Sequence, residues 1–373
     1  MNLIIAGDVA PTSTNKSIFE DKLDKKIDKN FYDIWKKSDY RVFNLECPII
    51  ENGKPILKFG PNISCSSNCI NGIKSLKPDL VLLGNNHIND YGTDGINNTI
   101  EILEKENISY TGIIENYEDN NKGFIFDKDG IRVGVYNFCD NEFSIATLSK
   151  KGTRGVSLIK NYQEIKQLKK QTDYLLVIFH GGKEYYQYQT PKLKELTELL
   201  VEFGADIVIC QHSHCIGTYY KYKDSTIVFG QGNFIFDNSK HELGKNSLVI
   251  KINFTENEYK IEYIPIKKEN ELIKIDDSNT SMEEFLKRSN EINKDNNIYK
   301  KVSNFSTDLL NNYMAIFSKV NIVKRIINKF FIKNYYVKLY SKEELAKILN
   351  IVECEAHREM LIEALKNKIE RDE

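Results

Sequence analysis

The sequence has 373 residues, of which 41% are hydrophobic and 28% are charged, and its formal net charge is −1. This composition is typical of a folded globular protein and excludes the disordered and fibrous classes. The balanced charge also argues against a surface built to bind nucleic acid, so we predict no nucleic-acid partner.

The cysteines and the first residues indicate the compartment. The seven cysteines contain no C-x-x-C pair, which argues against a disulfide framework and against a cysteine zinc site. The opening "MNLIIAGDVA" lacks the basic segment of a signal peptide, and no stretch approaches the roughly 18 apolar residues that span a bilayer. We therefore expect a cytoplasmic protein.

Short apolar runs of strand length recur along the first 265 residues and end at polar or glycine-rich junctions. In chain order they are "NLIIAGD", "RVFNLE", "LVLLGNNH", "RVGVYNF", "YLLVIFHGG", "DIVICQHSH" and "TIVFGQGNF". Helical patterns lie between them, including "GINNTIEILEKENI" and "PKLKELTELLVEFGA", the second with Pro191 at its start and Gly204 at its end. This alternation predicts an α/β fold, with one hairpin turned at Asp129-Gly130.

The predicted secondary structure changes near residue 270. From Thr226 to Ile266 the apolar runs predict antiparallel strands that complete a sheet, whereas beyond residue 270 lysine, asparagine and glutamate occur at helical spacing. We therefore predict two domains, 1–270 and a helical C-terminal extension 271–373, with the polar stretch 276–300 as a connection.

Ligands of α/β proteins collect where strands end, so the residues at these ends are the candidates for a functional site. The strand ends and the loops just after them carry Asp8, Asn44, Glu46, Asn86, His87, His180, Glu184, His212, His214 and Asn233. Four of the six histidines in the chain are in this set. A single histidine in such a place is usually structural, but four of them with two carboxylates predict a metal site.

Imidazole and carboxylate ligands suit Zn²⁺, Mn²⁺ or Fe²⁺, and the set is large enough for two divalent ions. Two metal ions about 4 Å apart are the arrangement of many phosphatases. Asp8 and Glu46 are the leading candidates to bridge them, and Asn86 adds an oxygen ligand. The adjacent His87 is then expected to act as a general acid or to stabilise the transition state. The H-x-H spacing of His212 and His214 places both rings on one side only if the backbone is extended.

The ordered motifs resemble the CapA family, named for poly-γ-glutamate capsule synthesis and similar in motif order to calcineurin-like metallophosphoesterases. They are "GDV" at 7–9, "NLECPI" at 44–49, "NNHINDYG" at 85–92, "HGGKEY" at 180–185, "HSH" at 212–214 and "GQGNFIFD" at 230–237. The resemblance covers roughly residues 1–265. It implies a four-layer sandwich in which helices flank two mixed β-sheets, with a dinuclear site at the sheet edge.

The resemblance also implies a role for each site residue. One metal would be held by Asp8, Glu46 and His214, and His87 would be the catalytic imidazole. The ligands implied for the second metal are Glu46, Asn86, His180 and His212. Asn44, Asn233 and Glu184 would orient ligands or contact substrate. Calcineurin-like enzymes usually open with D-x-H, whereas this chain has Ala10 at the third position, so the first metal would have one imidazole fewer.

Two further segments carry positive charge. Lys58, in the loop "NGKPILKFGP", is a candidate to meet a phosphate or carboxylate over the site, although loop lysines are usually only solvated. The stretch 315–342 carries seven lysines or arginines and no acid, with apolar residues at helical spacing. It predicts a basic amphipathic helix that either touches the inner face of a membrane peripherally or packs against the main domain.

These patterns together predict a metal-dependent phosphoesterase-like enzyme in capsule or surface-polymer biosynthesis. Its expected substrate is an anionic or phosphorylated small molecule or glycan, and its expected partners include membrane proteins of capsule synthesis. The alternative is a non-catalytic accessory protein of a polymer synthase that uses the same fold.

Overall fold

The structure, a computed structural model, describes residues 1–20, 23–236, 241–269, 272–295, 297–318 and 320–371. Asp237, the last residue of the motif at 230–237, and Lys319 in the basic stretch lie outside the described residues. The chain divides into two compact units, Met1–Ile298 and Tyr299–Glu373.

The described strands and helices follow the α/β alternation that the sequence predicts. The strands are β1 (Asn2–Ala10), β2 (Tyr40–Leu45), β3 (Leu80–Leu82), β4 (Tyr110–Thr111), β5 (Ile113–Ile114), β6 (Phe124–Lys128), β7 (Ile131–Cys139), β8 (Gly152–Thr153), β9 (Tyr174–His180), β10 (Ile207–Gln211), β11 (Tyr219–Tyr222), β12 (Ser225–Val228), β13 (Asn233–Phe236), β14 (Asn246–Phe254), β15 (Tyr259–Glu269) and β16 (Leu272–Ile275). The helices are α1 (Lys16–Glu20), α2 (Lys29–Lys37), α3 (Ile70–Ser75), α4 (Gly92–Lys105), α5 (Leu158–Lys169), α6 (Pro191–Phe203), α7 (Thr280–Asp295), α8 (Ile298–Phe317), α9 (Ile322–Ile326), α10 (Tyr335–Lys338), α11 (Lys342–Glu353) and α12 (Glu355–Arg371).

Two mixed sheets form the centre of the first unit. The larger has the order β16-β15-β14-β1-β2-β3-β4, with β13 also paired to β1, and the second has the order β11-β12-β10-β9-β7-β6. In each sheet the central strands are parallel, while hairpins add antiparallel strands at the edges. The carboxyl ends of the parallel strands therefore gather at one edge of each sheet.

Residue alternation along the strands builds three layers of core. In β1, Leu3 and Ile5 face the second sheet, whereas Ile4 faces the helices, as a period of two requires. Between the sheets, these residues meet others from both sheets, among them Leu80, Leu82, Val133, Val135, Leu176, Ile178, Ile207 and Ile209. The outer faces are covered by helical residues, among them Phe19, Phe31, Trp35, Ile73 and Ile96 on the larger sheet and Ile165, Leu168 and Leu200 on the second. The predicted sandwich of two mixed sheets flanked by helices is confirmed.

Local sequence signals account for the element boundaries. Helix α6 begins at Pro191, where the Thr190 hydroxyl accepts a hydrogen bond from the Leu193 N–H at 3.1 Å, and it ends at Gly204, whose φ of +124° suits glycine. The β6–β7 hairpin turns at Asp129 and Gly130, which both have positive φ. Both features agree with the sequence prediction.

The stretch 276–300, expected to be a polar connection, instead carries helix α7 in the first unit. Phe285 of α7 is fully buried beside Leu248, and the Tyr219 N–H donates to Ser289 Oγ at 2.9 Å. The expectation was wrong because isolated apolar residues in a polar helix are enough to dock it on a sheet edge. The domain division near residue 270 stays a prediction.

In the second unit, the single helix predicted over 315–342 is wrong. Helix α8 ends at Phe317, and α9 runs into a π turn over Ile327–Phe331. Asn321 caps α9 by accepting from the Lys324 N–H at 2.9 Å, and Asn334 takes a left-handed conformation before α10. The side-chain cap of Asn321 and the left-handed backbone at Asn334 interrupt the helical run and divide it into short pieces. None of the described helices is long and apolar enough to cross a membrane.

A buried ion pair ties the second sheet to its covering helix. Arg154 Nη2 lies 2.8 Å from Glu164 Oε1, and both residues are at most 3% exposed. The Tyr136 hydroxyl donates to Glu164 Oε2 at 2.6 Å, and Arg154 Nη1 donates to the Tyr117 carbonyl at 2.9 Å. The pair thus joins β7, α5 and the loop after β5.

We expect the Arg154→Ala variant to lose about 3–5 kcal/mol of unfolding free energy, because Glu164 would be left as an unpaired buried carboxylate. Urea denaturation measures this loss. The matched control is Arg132→Ala, whose partner Asp173 is 3.4 Å away with side chains 47% and 42% exposed, and it should lose less than about 1 kcal/mol. Equal losses in the two variants would contradict the prediction.

Candidate metal centre

The predicted site residues lie where the carboxyl edges of the two sheets meet. Register places Asp8 of β1 opposite Asn44 of β2 and opposite Asn233 of β13. His180 is the last residue of β9 and lies opposite Gln211 of β10, just before the H-x-H motif. Parallel pairing therefore brings together side chains that are far apart in the sequence.

Two groups of carboxylates and histidines have ligand atoms that all lie within 4.8 Å of one another. One group is Glu46, His180 and His212, and the other is Asp8, Glu46 and His214. Every member is buried, and Glu46 belongs to both groups. The family resemblance implies the same division of these residues between two metals and adds Asn86, whose Oδ1 lies 3.0 Å from His180 Nε2.

The donor set fits a divalent cation. Within the described part of the chain, both Glu46 carboxylate oxygens and His212 Nδ1 are buried without a hydrogen-bond partner. His180 Nε2 approaches Glu46 Oε1 to 3.2 Å as an ion pair. A buried carboxylate with no hydrogen bond is costly, so native proteins pair it with a cation or a metal. A cation bound at either group would therefore compensate the Glu46 carboxylate, which belongs to both.

The surroundings of the cluster shift the pKa values of four of its titratable ligands in different directions. Burial, followed by the neighbouring Glu46 charge, raises the pKa of Asp8 to about 6. Burial also acts to raise the pKa of Glu46, but His180 and His214 outweigh it, so this pKa lies well below its usual range. For His180, the Glu46 carboxylate outweighs burial and raises the pKa. Burial, aided by His180, lowers the pKa of His212, which keeps that imidazole neutral and able to bind a metal.

Asparagines hold the ligands in place. Asn44 Nδ2 donates to Asp8 Oδ1 at 2.9 Å, and Asn85 Nδ2 donates in turn to Asn44 Oδ1 at 2.9 Å. Asn233 Oδ1 lies 2.7 Å from His214 Nδ1, as its expected orienting role requires. Such contacts fix the ring and carboxylate orientations around a metal. Sequence reasoning missed Asn85, although it directly precedes the expected ligand Asn86.

The H-x-H motif reaches the centre by a route that the sequence did not indicate. His212 and His214 have φ of +83° and +53°, so the backbone is not extended at either residue. Left-handed backbone is uncommon for residues other than glycine and is concentrated at functional sites. Both rings nevertheless point into the centre, because two left-handed residues turn the chain back towards Asp8, whose Oδ2 accepts from the His212 N–H at 3.3 Å.

Gly7 allows the two strands that carry the site to approach each other. A Cβ atom at Gly7 would lie 2.0 Å from the Gly232 carbonyl oxygen, which is backbone and cannot move aside. Gly232 itself has a φ of +75°. The glycines before Asp8 and Asn233 thus let β1 and β13 meet closely enough to place both side chains at the centre.

His87 lies beside the ligand groups in a small cluster of its own. His87 Nδ1 lies 2.7 Å from Asp90 Oδ2, and Lys58 Nζ pairs with Asp90 and lies 3.3 Å from His87 Nδ1. The Lys58 side chain is 3% exposed, so it is not merely solvated. Sequence reasoning did not identify Asp90 as a partner of His87. The spacing of three residues after His87 was the available signal.

Glu184 lies apart from these contacts. Its side chain is exposed and makes no hydrogen bond or ion pair with the residues that the structure describes. Its expected role in orienting ligands or contacting substrate therefore stays a prediction.

Comparison with known proteins identifies relatives. Residues 2–238 match the family described as "Bacterial capsule synthesis protein PGA_cap". The chain is 31% identical over 211 residues to "Capsule biosynthesis protein CapA" of Bacillus anthracis, covering 54% of this chain and 51% of that protein. It is 27% identical over 210 residues to "PGA biosynthesis protein CapA" of Bacillus subtilis strain 168, covering 55% of each. The chain spans about half the length of these curated relatives.

Solved structures are similar only in part. A hypothetical protein from Thermus thermophilus is 12% identical, with a TM-score of 0.47, over 72% of this chain and 100% of that one. Vps29 of Chaetomium thermophilum is 9% identical, with a TM-score of 0.32, over 74% of this chain and 91% of that one.

The family match includes every member of the two ligand groups and spans most of the first unit. The chain therefore belongs to the bacterial capsule synthesis protein PGA_cap family.

Proposed function

We propose that this protein is a metal-dependent phosphoesterase-like enzyme that acts in the biosynthesis of a capsule or surface polymer, either poly-γ-glutamate or a polysaccharide. The observation that carries the proposal is Glu46, a buried carboxylate that is shared by both ligand groups and whose two oxygens have no hydrogen-bond partner among the described residues. The substrate class is an anionic or phosphorylated small molecule or glycan, and membrane proteins of capsule synthesis are the proposed partners.

Two divalent ions, Mn²⁺, Fe²⁺ or Zn²⁺, are the proposed cofactors. Asp8, Glu46 and His214 would hold one, and the second would be held by Glu46, Asn86, His180 and His212. When bound, such ions act as Lewis acids on a phosphoryl oxygen and lower the pKa of a bound water.

His87 is the proposed proton donor to the leaving group. An ionised carboxylate only accepts hydrogen bonds, so the 2.7 Å contact with Asp90 places a proton on His87 Nδ1. Donation to the leaving group then requires the imidazolium form of His87, in which Nε2 carries the second proton and is the one transferred. Asp90 is itself anchored, because its Oδ2 accepts from the Ile63 N–H at 2.7 Å and its Oδ1 pairs with Lys58. This arrangement fixes the plane of the ring as a general acid requires.

The alternative function is that of a non-catalytic accessory protein of a polymer synthase. Ala10 favours it, because the group of Asp8, Glu46 and His214 has one imidazole where D-x-H enzymes have two. If the metal at this group were held only weakly, the site could still bind an anion, but it would lack a nucleophile able to attack the substrate. The dependence of activity on His87 separates the two functions.

We expect about two divalent ions per chain in protein purified without chelators and supplied with Mn²⁺, measured by elemental analysis. Glu46→Gln should lower the content at both positions, because Glu46 is shared, whereas His214→Ala should lower it at one. His357→Ala, an exposed histidine of α12, is the matched control and should keep the full content. A full metal content in Glu46→Gln would contradict the proposed centre.

Metal affinity should rise with pH between 5.5 and 7.5. The Asp8 carboxyl, with a pKa of about 6, holds a proton at the lower pH that the metal must displace, and this alone makes binding about fourfold weaker there. The raised pKa of His180 acts in the same direction, and the lowered pKa of His212 adds no competing proton. Calorimetric titration with Mn²⁺ in buffers of different ionisation enthalpy would count the released protons. Affinity that is independent of pH would contradict this account.

The His87→Ala variant should lose about 10²–10⁴-fold in kcat on a phosphoester substrate while it keeps its metal content, because His87 is proposed to donate a proton and not to bind the ions. The substrate would come from a screen of phosphomonoesters and phosphodiesters with the metal-loaded protein. The His357→Ala variant should keep the parent kcat. Unchanged kcat in His87→Ala would overturn the assignment of the general acid, and a loaded protein inactive on every substrate would favour the accessory function.

A further inference from the structure

The second unit exposes many large apolar side chains, and several of them lie close together in one short segment. Ile322 and Val323 of α9 are 74% and 58% exposed, and Phe330 and Phe331 of the π turn are 68% and 77% exposed. Single exposed apolar residues are ordinary on protein surfaces, but a contiguous group of them marks an interaction site. We call residues 322–333 the basic apolar segment.

The spacing of these side chains places several on one side. Val323, Ile326 and Phe330 are three and four residues apart, so they lie next to one another along a helical run. Ile326 is 46% exposed. The segment therefore presents an apolar stripe to the outside of its unit.

Polar residues of the same run are turned towards the unit. Asn328 Oδ1 accepts from Asn311 Nδ2 of α8 at 3.1 Å, and Lys324 Nζ donates to the Ser318 carbonyl at 2.7 Å. This orientation is the reverse of that expected for a surface helix packed on its own core, in which the apolar side faces inwards. The apolar stripe is thus available to an external surface.

Positive charge accompanies the stripe. Arg325, Lys329 and Lys333 are exposed, and Lys329 Nζ lies 5.0 Å from the centre of the Phe330 ring. The surrounding stretch 315–342 contains seven basic residues and no acidic one. Apolar and aromatic side chains interleaved with cations match the boundary between headgroups and acyl chains in an anionic bilayer.

We propose that the basic apolar segment binds an anionic lipid surface, with its apolar side chains in the headgroup boundary and its cations on the anionic headgroups. This binding is independent of the metal centre. The sequence left open whether one helix over 315–342 touches a membrane or packs against the main domain, and the proposal places the contact on a short helix and a π turn.

The test is sedimentation of the full chain with vesicles of phosphatidylcholine containing about one third phosphatidylglycerol, at low salt. The Phe330→Ser/Phe331→Ser variant should bind at least about tenfold more weakly, because two exposed aromatic side chains no longer enter the bilayer. The matched control is Leu349→Ser/Val352→Ser, which alters side chains of α11 that are 60% and 51% exposed, and it should bind like the parent.

Substitutions that remove positive charge test whether the cations of the segment bind the anionic headgroups. Arg325→Gln, Lys329→Gln and Lys333→Gln should each weaken binding to anionic vesicles roughly fivefold at low salt, and added salt should weaken binding of the parent. Equal binding to pure phosphatidylcholine vesicles, equal loss in the α11 control, or a parent protein that stays in the supernatant would each overturn the proposal. A dimer of the parent that the Phe330→Ser/Phe331→Ser variant abolishes would overturn it in favour of self-association.

Discussion

The burial of Glu46 between two groups of ligands is the constraint on which the site depends. A carboxylate that lies in the interior without a hydrogen-bond donor is tolerated only next to compensating positive charge. His180 supplies part of that charge by direct contact, but both carboxylate oxygens remain without hydrogen bonds. The donor set around Glu46 therefore suits a divalent cation, as the proposed function requires.

The fold supports this constraint by bringing two sheet edges together. Packing of the two sheets on a shared apolar core places the end of β9 opposite the ends of β1 and β2. Local features then orient the side chains towards the centre. The glycine at position 7 permits close approach of β13. The left-handed backbone at His212 and His214 turns both rings inwards. The unusual backbone is stabilised by the rigid sheets on either side.

The two units use apolar side chains in opposite ways. The first buries them in three layers, which gives the metal ligands and the His87 cluster a rigid frame. The second leaves Phe330, Phe331 and Ile322 in contact with solvent beside several cations. The two proposals therefore rest on different units, the metal centre on the first and the basic apolar segment on the second.

Much of the first unit is encoded locally. The alternation of apolar runs with helical patterns, the turn at Asp129-Gly130 and the boundaries of α6 follow from short-range preferences that act over a few residues. The presence of histidine and acid at strand ends was enough to predict the residues that gather at the centre. The contact between Asp90 and His87 could not be predicted from the sequence alone, because an acidic residue at this position is equally compatible with an ordinary turn.

By itself, therefore, the sequence determined the α/β class, the strand ends that meet and the residue types that suit a divalent ion, since these depend on periodicity and on side-chain chemistry. Only the tertiary structure decided that both Glu46 oxygens are buried without a hydrogen bond to the described residues, that His212 and His214 reach the centre through left-handed backbone, and that the apolar stripe near Phe330 is exposed. These features depend on distances and burial set by contacts between distant parts of the chain, which no local pattern specifies.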